Sequence, residues 1–429
     1  MSALAKICLN RGVKVSGSDK VKNHITEELE HLGAIIFYKH QKKNVAGADL
    51  VVYTCAVGEN NAEVMQAKQI GKVVLERAEF LGEIAKEFEN VVAVSGSHGK
   101  TTVCGMIQNI FEDAGKSPTL IVGGETMHGN LVIGKKEFLI VEACEYREHF
   151  LKLTPTEAIV LNVDYDHPDF FKSSRDYELA FEKFAGRCTR KVFVNEKCSI
   201  LIDGNKVTFG DGGDFFAKHI VQRDNRIFFD VYKQGGFFEK ITLNLIGSYN
   251  ISNALCAVAV ADYFGISKVF IKNGIERFEN LKRRYEYMGK FGNNIVITDY
   301  AHHPTQIENC ILATRETYHK KILVVFEPHT YTRTKFLFGD FVKSLCLADD
   351  VIILPTYSAR EKSKRGGTSR DLFEALKMSK NDVWFVRSYK KCLKEFERFD
   401  DHIILILGAG RIINLAETIK KEYLRKTLD

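Results

Sequence analysis

At 429 residues the chain is too long for one hydrophobic core and, at about 100 to 200 residues per domain, calls for about two to four, which excludes a small binding module. Hydrophobic residues at 45% and charged residues at 27% give the balance of a globular chain and exclude a disordered or fibrous one. The net charge of +6, from 61 basic against 55 acidic residues, is spread without a concentrated basic stripe, so no nucleic-acid partner is expected and a small polyanionic ligand is.

From Met1 to Glu89, short apolar runs such as Leu50 to Tyr53 and Lys72 to Leu75 alternate with helical patterns such as Ile25 to Leu32, predicting β/α units on a parallel sheet. A second system, residues 90–282, opens with a strand at Val91 to Val94, a glycine-rich turn and a helix from Thr101 to Ala114. Between Lys191 and Leu245 the period shortens to two, broken at Asp203-Gly204-Asn205, Asp211-Gly212-Gly213 and Gly235-Gly236, which predict hairpins and an antiparallel insertion. A helix follows over Asn250 to Phe264. Residues 283–429 carry the clearest alternation: strands at Asn294 to Thr298, Ile322 to Phe326, Val351 to Leu354, Val383 to Val386 and Ile403 to Leu407, each followed by a helix-length segment. Gly408-Ala409-Gly410 lacks the third glycine of a dinucleotide fingerprint and reads as a tight turn. No apolar run approaches the ~18 residues of a membrane helix, and no basic segment leads into an apolar one at the start, so a cytoplasmic location is expected. The ten cysteines, from Cys8 to Cys392, include no C-x-x-C pair and read as small core residues.

Ser95 to Thr102 reads SGSHGKTT between the strand and the helix. Gly96 and Gly99 let the backbone wrap oxygens, Ser97, His98, Thr101 and Thr102 line the helix N-terminus, and Lys100 adds a point charge. This compact G-x-x-G-K-T-T loop predicts a nucleoside triphosphate site, with the Thr101 hydroxyl on Mg²⁺. Glu142 ends the apolar run Phe138 to Val141, and His167 follows Ala158 to Val163 with Asp166 and Asp169 beside it. A carboxylate and an imidazole at two strand ends could hold a second Mg²⁺ by the γ-phosphate.

SGSHGKTT, the VEACE segment around Glu142 and NVDYDHPD from Asn162 to Asp169 resemble the central domain of the Mur ligases, ATP-dependent enzymes that build the peptide of bacterial peptidoglycan. The resemblance extends over nearly the whole chain: MSALAKICLNRGVKVSGSD at the start, VVYTCAV at 51–57, VLERAEFL at 74–81, DYAHHPT at 299–305, EPHTYTRT at 327–334 and TYSAREK at 356–362. It implies three domains: a Rossmann-like UDP-binding one (1–89), an ATPase one (90–282) and a Rossmann-like one that closes over the site (283–429). It also implies substrates UDP-N-acetylmuramate and L-alanine, ATP with Mg²⁺, an acyl phosphate, no membrane insertion, and a monomer or weak homo-oligomer. The alternatives are a member that returns a recycled peptide to the same sugar nucleotide and a catalytically silent nucleotide binder.

By the same resemblance, Lys100, Glu142, His167 and His302 serve catalysis. Asn250 and Asn253 in GSYNISNA face the adenine side, Asp299 meets the ribose, and Arg333 holds the amino-acid carboxylate with Tyr300, His302 and His329 around it. Tyr249 stands where the family usually has histidine, and Thr330 where a second arginine can occur. The family opens with a strand and a glycine-rich turn of the form G-I-G-G-x-G-M-S, and this sequence starts at that methionine. The expectation is a gap in the first sheet, weak UDP-N-acetylmuramate binding, and an upstream reading frame encoding the missing strand.

Overall fold

The computed structural model describes residues 1–429 except Met127, His128, Asn280, Arg360, Asn381 and Asp429, so Arg360 of the TYSAREK motif lies outside the described residues. The first stretch contains α1 (Ser2–Asn10), β1 (Ser16–Ser18), α2 (His24–His31), β2 (Ile35–Phe37), β3 (Leu50–Tyr53), α3 (Ala62–Gln69), β4 (Val73–Glu76) and α4 (Arg77–Ala85). Helix starts follow local chemistry: the Asn23 side chain accepts from Thr26 N–H while Thr26 Oγ1 accepts back, and Glu76 and Glu79 form a second reciprocal cap. Pairing is parallel, as expected, but β1–β2 and β3–β4 form two separate two-stranded sheets. Ala3, Leu4 and Ile7 of α1 pack with Leu81, Ile84 and Val91, so this region buries its apolar face against the next one.

That next region holds β5 (Asn90–Ser95), α5 (Lys100–Asp113), β6 (Thr119–Thr126), β7 (Gly129–Val132), β8 (Phe138–Glu142), a 3-10 stretch Tyr146–Lys152, β9 (Glu157–Val160), α6 (Ser174–Gly186), β10 (Lys191–Asn195), β11 (Lys206–Phe209), β12 (Phe215–Arg223), β13 (Arg226–Lys233), β14 (Gly236–Leu243), α7 (Tyr249–Tyr263) and α8 (Lys268–Glu276). All ten strands lie in one sheet, ordered β14-β13-β12-β11-β10-β9-β5-β8-β6-β7. Its two faces are covered by separate cores, one built on α5, α7 and α8 and the other on α4 and α6.

The antiparallel insertion is present as β12-β13-β14, but two of the three expected hairpins are not. β10 and β11 are parallel across Asp203-Gly204-Asn205, and the residues after Asp211-Gly212-Gly213 join β11 in parallel through Phe209 and Phe215. Parallel pairing requires each connection to bring the chain back to the start of the sheet before the next strand, which a single tight turn does not do. Gly235 does turn β13 into β14, and the other hairpin turns at Asp224-Asn225, whose φ of 51° and 58° suits short polar side chains that tolerate the left-handed region.

The last region contains β15 (Glu286–Phe291), β16 (Asn294–Asp299), α9 (Pro304–Thr317), β17 (Ile322–Phe326), α10 (Tyr331–Phe336), α11 (Phe338–Leu345), β18 (Asp350–Ile353), α12 (Ser369–Ser379), β19 (Val383–Phe385), α13 (Tyr389–Glu395), β20 (Ile403–Leu407) and α14 (Ile413–Leu428). Its sheet runs β15-β16-β20-β17-β18-β19, parallel except for the edge strand β15. Every residue of β17 and β20 is buried, because helices cover both faces. The chain enters this sheet through Arg283 and Tyr285, at φ 60° and 48°. There the Tyr285 N–H donates to Asp299 Oδ2 at 2.7 Å and Arg283 Nη2 to the Gly408 carbonyl at 3.0 Å. Among the described residues no helix is long and apolar enough to cross a membrane.

Candidate active site

β5 delivers the glycine-rich loop to the start of α5. Gly96 has φ 142° and a Cβ there would lie 3.0 Å from Leu161; Gly99 has φ 83° and a Cβ would lie 2.6 Å from Asn253 Oδ1. The loop is braced by the segment after β9 and by α6: His98 N–H donates to Asn162 Oδ1 at 2.9 Å, Ser97 Oγ donates to the Asp164 carbonyl at 2.7 Å, and the Tyr177 hydroxyl of α6 lies 2.9 Å from Ser97 Oγ. The amides of Asn250 and Asn253 are bonded to each other at 3.0 Å, so α7 backs the loop as a buried strut. Tyr249 is half-buried, and Asn250 anchors to the Ile246 carbonyl at 2.8 Å.

The Lys100 side chain is folded back, donating to the Gly96 carbonyl and to Glu145 Oε2 at 2.9 Å. Its side chain is 12% exposed, so the charge is largely withdrawn from solvent. Glu145 was not singled out by the sequence reading, although it is the second glutamate of the VEACE segment. Burial opposes its ionisation, yet Lys100 and His167 beside it hold its carboxyl at about 2. Burial likewise works against the Lys100 charge, and Glu145 and Glu142 more than offset it.

The expected metal set is divided. Thr101 Oγ1 donates to Glu142 Oε2 at 3.0 Å, and Gly123 N–H meets the same oxygen at 2.9 Å. His167 instead faces Glu145 Oε1 at 3.4 Å, with its backbone at φ 57°. Thr101 and Glu142 form an all-oxygen pair at a helix N-terminus, a donor set that fits a hard cation such as Mg²⁺.

Side chains of α9 and α10 in the last region reach this loop. Gln306 Nε2 lies 2.8 Å from His98 Nδ1, His98 Nε2 lies 2.9 Å from Asp164 Oδ2, and His303 contacts the Tyr165 carbonyl at 3.2 Å. Arg333 makes a bidentate pair with Asp166, Nε to Oδ1 at 2.8 Å and Nη2 to Oδ2 at 3.1 Å, and its Nη1 is 3.1 Å from His329 Nδ1. Both side chains of the pair are buried; burial disfavours the Asp166 charge, but Arg333 holds that carboxyl well below the usual range. The fork expected for an amino-acid carboxylate therefore has an internal carboxylate in it. Spacing alone gave no sign of this pairing, which joins positions 167 residues apart.

Burial also pushes the imidazoles down: His329, with Arg333 beside it, to about 4; His303, with His98 beside it, to about 4; and His302 well below its ordinary value. His302 Nδ1 is 2.9 Å from the Tyr300 carbonyl, which makes Nδ1 the protonated nitrogen and leaves Nε2 the acceptor. The Arg283 and Arg284 guanidinium carbons lie over the Tyr300 ring, 4.7 and 5.3 Å from its centre. Asp299 Oδ2 and Oδ1 accept from Tyr285 and Ala301 N–H, and burial raises its carboxyl despite Arg284. Beside His329 a cavity of about 710 Å³ is lined by Thr356, Tyr357, Ser358 and Arg411. Thr330 starts α10 at φ 68°, its hydroxyl accepting from Arg333 N–H.

Three family models match the chain: Mur ligase family, catalytic domain, over residues 1–89; Mur ligase middle domain over 94–261; and Mur ligase, glutamate ligase domain, over 283–410. The chain is 39% identical to the UDP-N-acetylmuramate--L-alanine ligase of Caldanaerobacter subterraneus subsp. tengcongensis, covering 98% of this chain and 95% of that one. It is 36% identical to the enzyme of the same name from Clostridium perfringens, with the same coverage. Among solved structures, the UDP-N-acetylmuramate-alanine ligase of Thermotoga maritima superposes with a TM-score of 0.84 at 28% identity, over 99% of this chain and 97% of that one. A murein peptide ligase from Psychrobacter arcticus shares the fold, with a TM-score of 0.71 at 20% identity over 99% and 96% of the two chains.

Proposed function

This chain belongs to the Mur ligase family, and from that premise we propose that it joins L-alanine to UDP-N-acetylmuramate at the expense of ATP, in peptidoglycan precursor synthesis in the cytoplasm. One observation carries the site assignment: Gln306 of α9 and Arg333 of α10 reach His98 and Asp166 beside the phosphate loop, so amino-acid and nucleotide groups share one cleft. In this reading residues 1–89 take the UDP-sugar, 90–282 the ATP and 283–429 the amino acid.

The muramate carboxylate oxygen attacks the γ-phosphorus of ATP, and ADP leaves with the electron pair of the broken P–O bond. The alanine amine then adds to the acyl phosphate carbon, loses a proton, and inorganic phosphate departs. An anionic nucleophile approaching an anionic phosphate needs positive charge already in place. Lys100 supplies it once the triphosphate displaces Glu145 as its partner, and the N–H groups at the start of α5 supply the rest. Thr101 and Glu142 would hold Mg²⁺, with His167 nearby on the β9 side; the ion would neutralise phosphate charge. Asn250 and Asn253 back the adenine side, and Asp299 faces the ribose. Neutral His302 offers Nε2 to the proton shed by the alanine ammonium, while Tyr300, His329 and Arg333 orient the amino acid.

The test is ADP release by the full chain with Mg²⁺, ATP, UDP-N-acetylmuramate and either L-alanine or an alanyl-glutamyl tripeptide. Turnover with alanine supports the reading. Preference for the tripeptide makes this a peptide-recycling ligase, and release never above background with any pair makes it a silent nucleotide binder. Lys100→Ala is expected to lower turnover about a thousandfold or more with the fold intact. A variant keeping half its activity would remove the loop from the chemistry.

A further inference from the structure

Away from the phosphate loop, a second group of metal-type side chains lies where the first two regions meet. β3 and β4 pair with Tyr53 opposite Glu76, so the turn after β3 sets Cys55 beside the last residue of β4 at the carboxyl edge of that pair. The third member, His149, arrives from the 3-10 stretch Tyr146–Lys152. That stretch is seated on α4, where Gly82 touches the Lys152 carbonyl so closely that any side chain would force them apart. Cys55 Sγ, one Glu76 carboxylate oxygen and one His149 ring nitrogen all lie within 4.8 Å of one another, and His149 Nε2 is 3.7 Å from Glu76 Oε2. Among the described residues this is the only group of three such side chains brought this close.

We propose that Cys55, Glu76 and His149 bind one transition-metal ion of the zinc class. The donor set decides the class: a thiolate and an imidazole select Zn²⁺ over Mg²⁺ or Ca²⁺, which take oxygen. Zinc bonds of ~2.0 to 2.3 Å in a tetrahedron place ligand atoms about 3.3 to 3.8 Å apart, so closure on the ion takes side-chain rotations of about an ångström. One carboxylate oxygen is already fixed, since Glu76 Oε2 accepts the Ala78 N–H at 2.8 Å as the cap of α4. Thiolate and carboxylate together balance a divalent charge, while the nearby cations Arg77, Arg147 and Lys152 weaken the site and keep it reversible. Three protein ligands leave a fourth position for water or a ligand oxygen. The ion ties β4 to the 3-10 stretch and so fixes the first region against the second.

Metal-stripped full-length protein is titrated with Co²⁺ in excess Mg²⁺. One equivalent should produce a thiolate-to-cobalt charge-transfer band and tetrahedral visible bands, both bleached by one equivalent of Zn²⁺. Cys55→Ser should abolish the charge-transfer band, and His149→Gln should weaken Zn²⁺ by more than about a hundredfold, beyond the cost of an outer-sphere contact. Circular dichroism of each metal-free variant separates loss of a ligand from loss of fold. If Cys55→Ser does not fold, the His149→Gln affinity decides. Absence of a thiolate band in the parent chain, or a band that survives Cys55→Ser, overturns the proposal.

Discussion

The first and last regions are both β/α alternations, yet only the last makes a self-sufficient sheet. β17 and β20 are buried along their whole length between two cores of their own, while β3 and β4 expose Leu50 and Val73 and sit half-buried. The first region instead lends α1 and α4 to the core beneath β5 and β8. Alternation in sequence specifies parallel pairing; independence requires enough strands to bury both faces.

The contrast is sharpest in the ion pairs. Arg333→Ala should cost about 3–5 kcal/mol in denaturant unfolding, because Asp166 is left buried without its counter-charge. The same variant should raise the KM for alanine more than that for ATP; equal losses would move Arg333 to the nucleotide. A core comparison comes next: Leu405→Ala in β20 should cost about 2–5 kcal/mol, and Leu50→Ala in β3, already 36% exposed, under about 1 kcal/mol. Equal costs would mean the first region is as tightly built as the last.

Acid gives a third discriminator. His303 and His329 have folded values lowered to about 4 from an ordinary 6.5, so both are neutral in folded and unfolded chains above that range. As pH falls from about 6.5 toward about 4 the unfolded chain takes up protons that the folded one refuses, and stability falls across that window. Amide exchange should report the loosening in β16 and α9, and the double change His303→Gln, His329→Gln should flatten it. The smallest effect is Lys6→Ala, whose pair with Glu28 in the first region is exposed at 19% and 52% and should be worth at most about 1 kcal/mol.

Continuous apolar runs made the four inner strands of the last region legible, because strands buried on both faces leave few polar positions, and Val383, Trp384 and Phe385 did the same for the edge strand β19. β15 stayed unread since Glu286, Tyr287 and Lys290 break its pattern at the sheet edge, and β6 and β7 because glycine and threonine dilute theirs. The glycine-rich turns were legible as turns but not as to which strands they pair, since pairing is settled by partners distant in sequence. The phosphate loop was readable because its chemistry is local. The Glu145–Lys100 pair was not, because it exists only once β5 and β8 lie side by side, nor were the Asp166–Arg333 pair and the Gln306–His98 contact, which exist only after the middle and last regions meet.

The joint at Arg283 and Tyr285 has a mechanical meaning. Two bulky residues at left-handed φ within three positions cost on the order of 1–3 kcal/mol each, and the geometry persists because Asp299 accepts the Tyr285 N–H, Glu286 accepts the Arg283 N–H and the Tyr285 hydroxyl pairs with Thr314. Asp299 thus behaves as a catch on a wound spring. A nucleotide hydroxyl that draws Asp299 Oδ2 away would free Tyr285 to unwind, and Tyr285→Gly, which removes the tension, should blunt any nucleotide-dependent change in radius of gyration seen by solution scattering. The recoil would carry the six-stranded sheet as one body, because its inner strands are too well buried to bend.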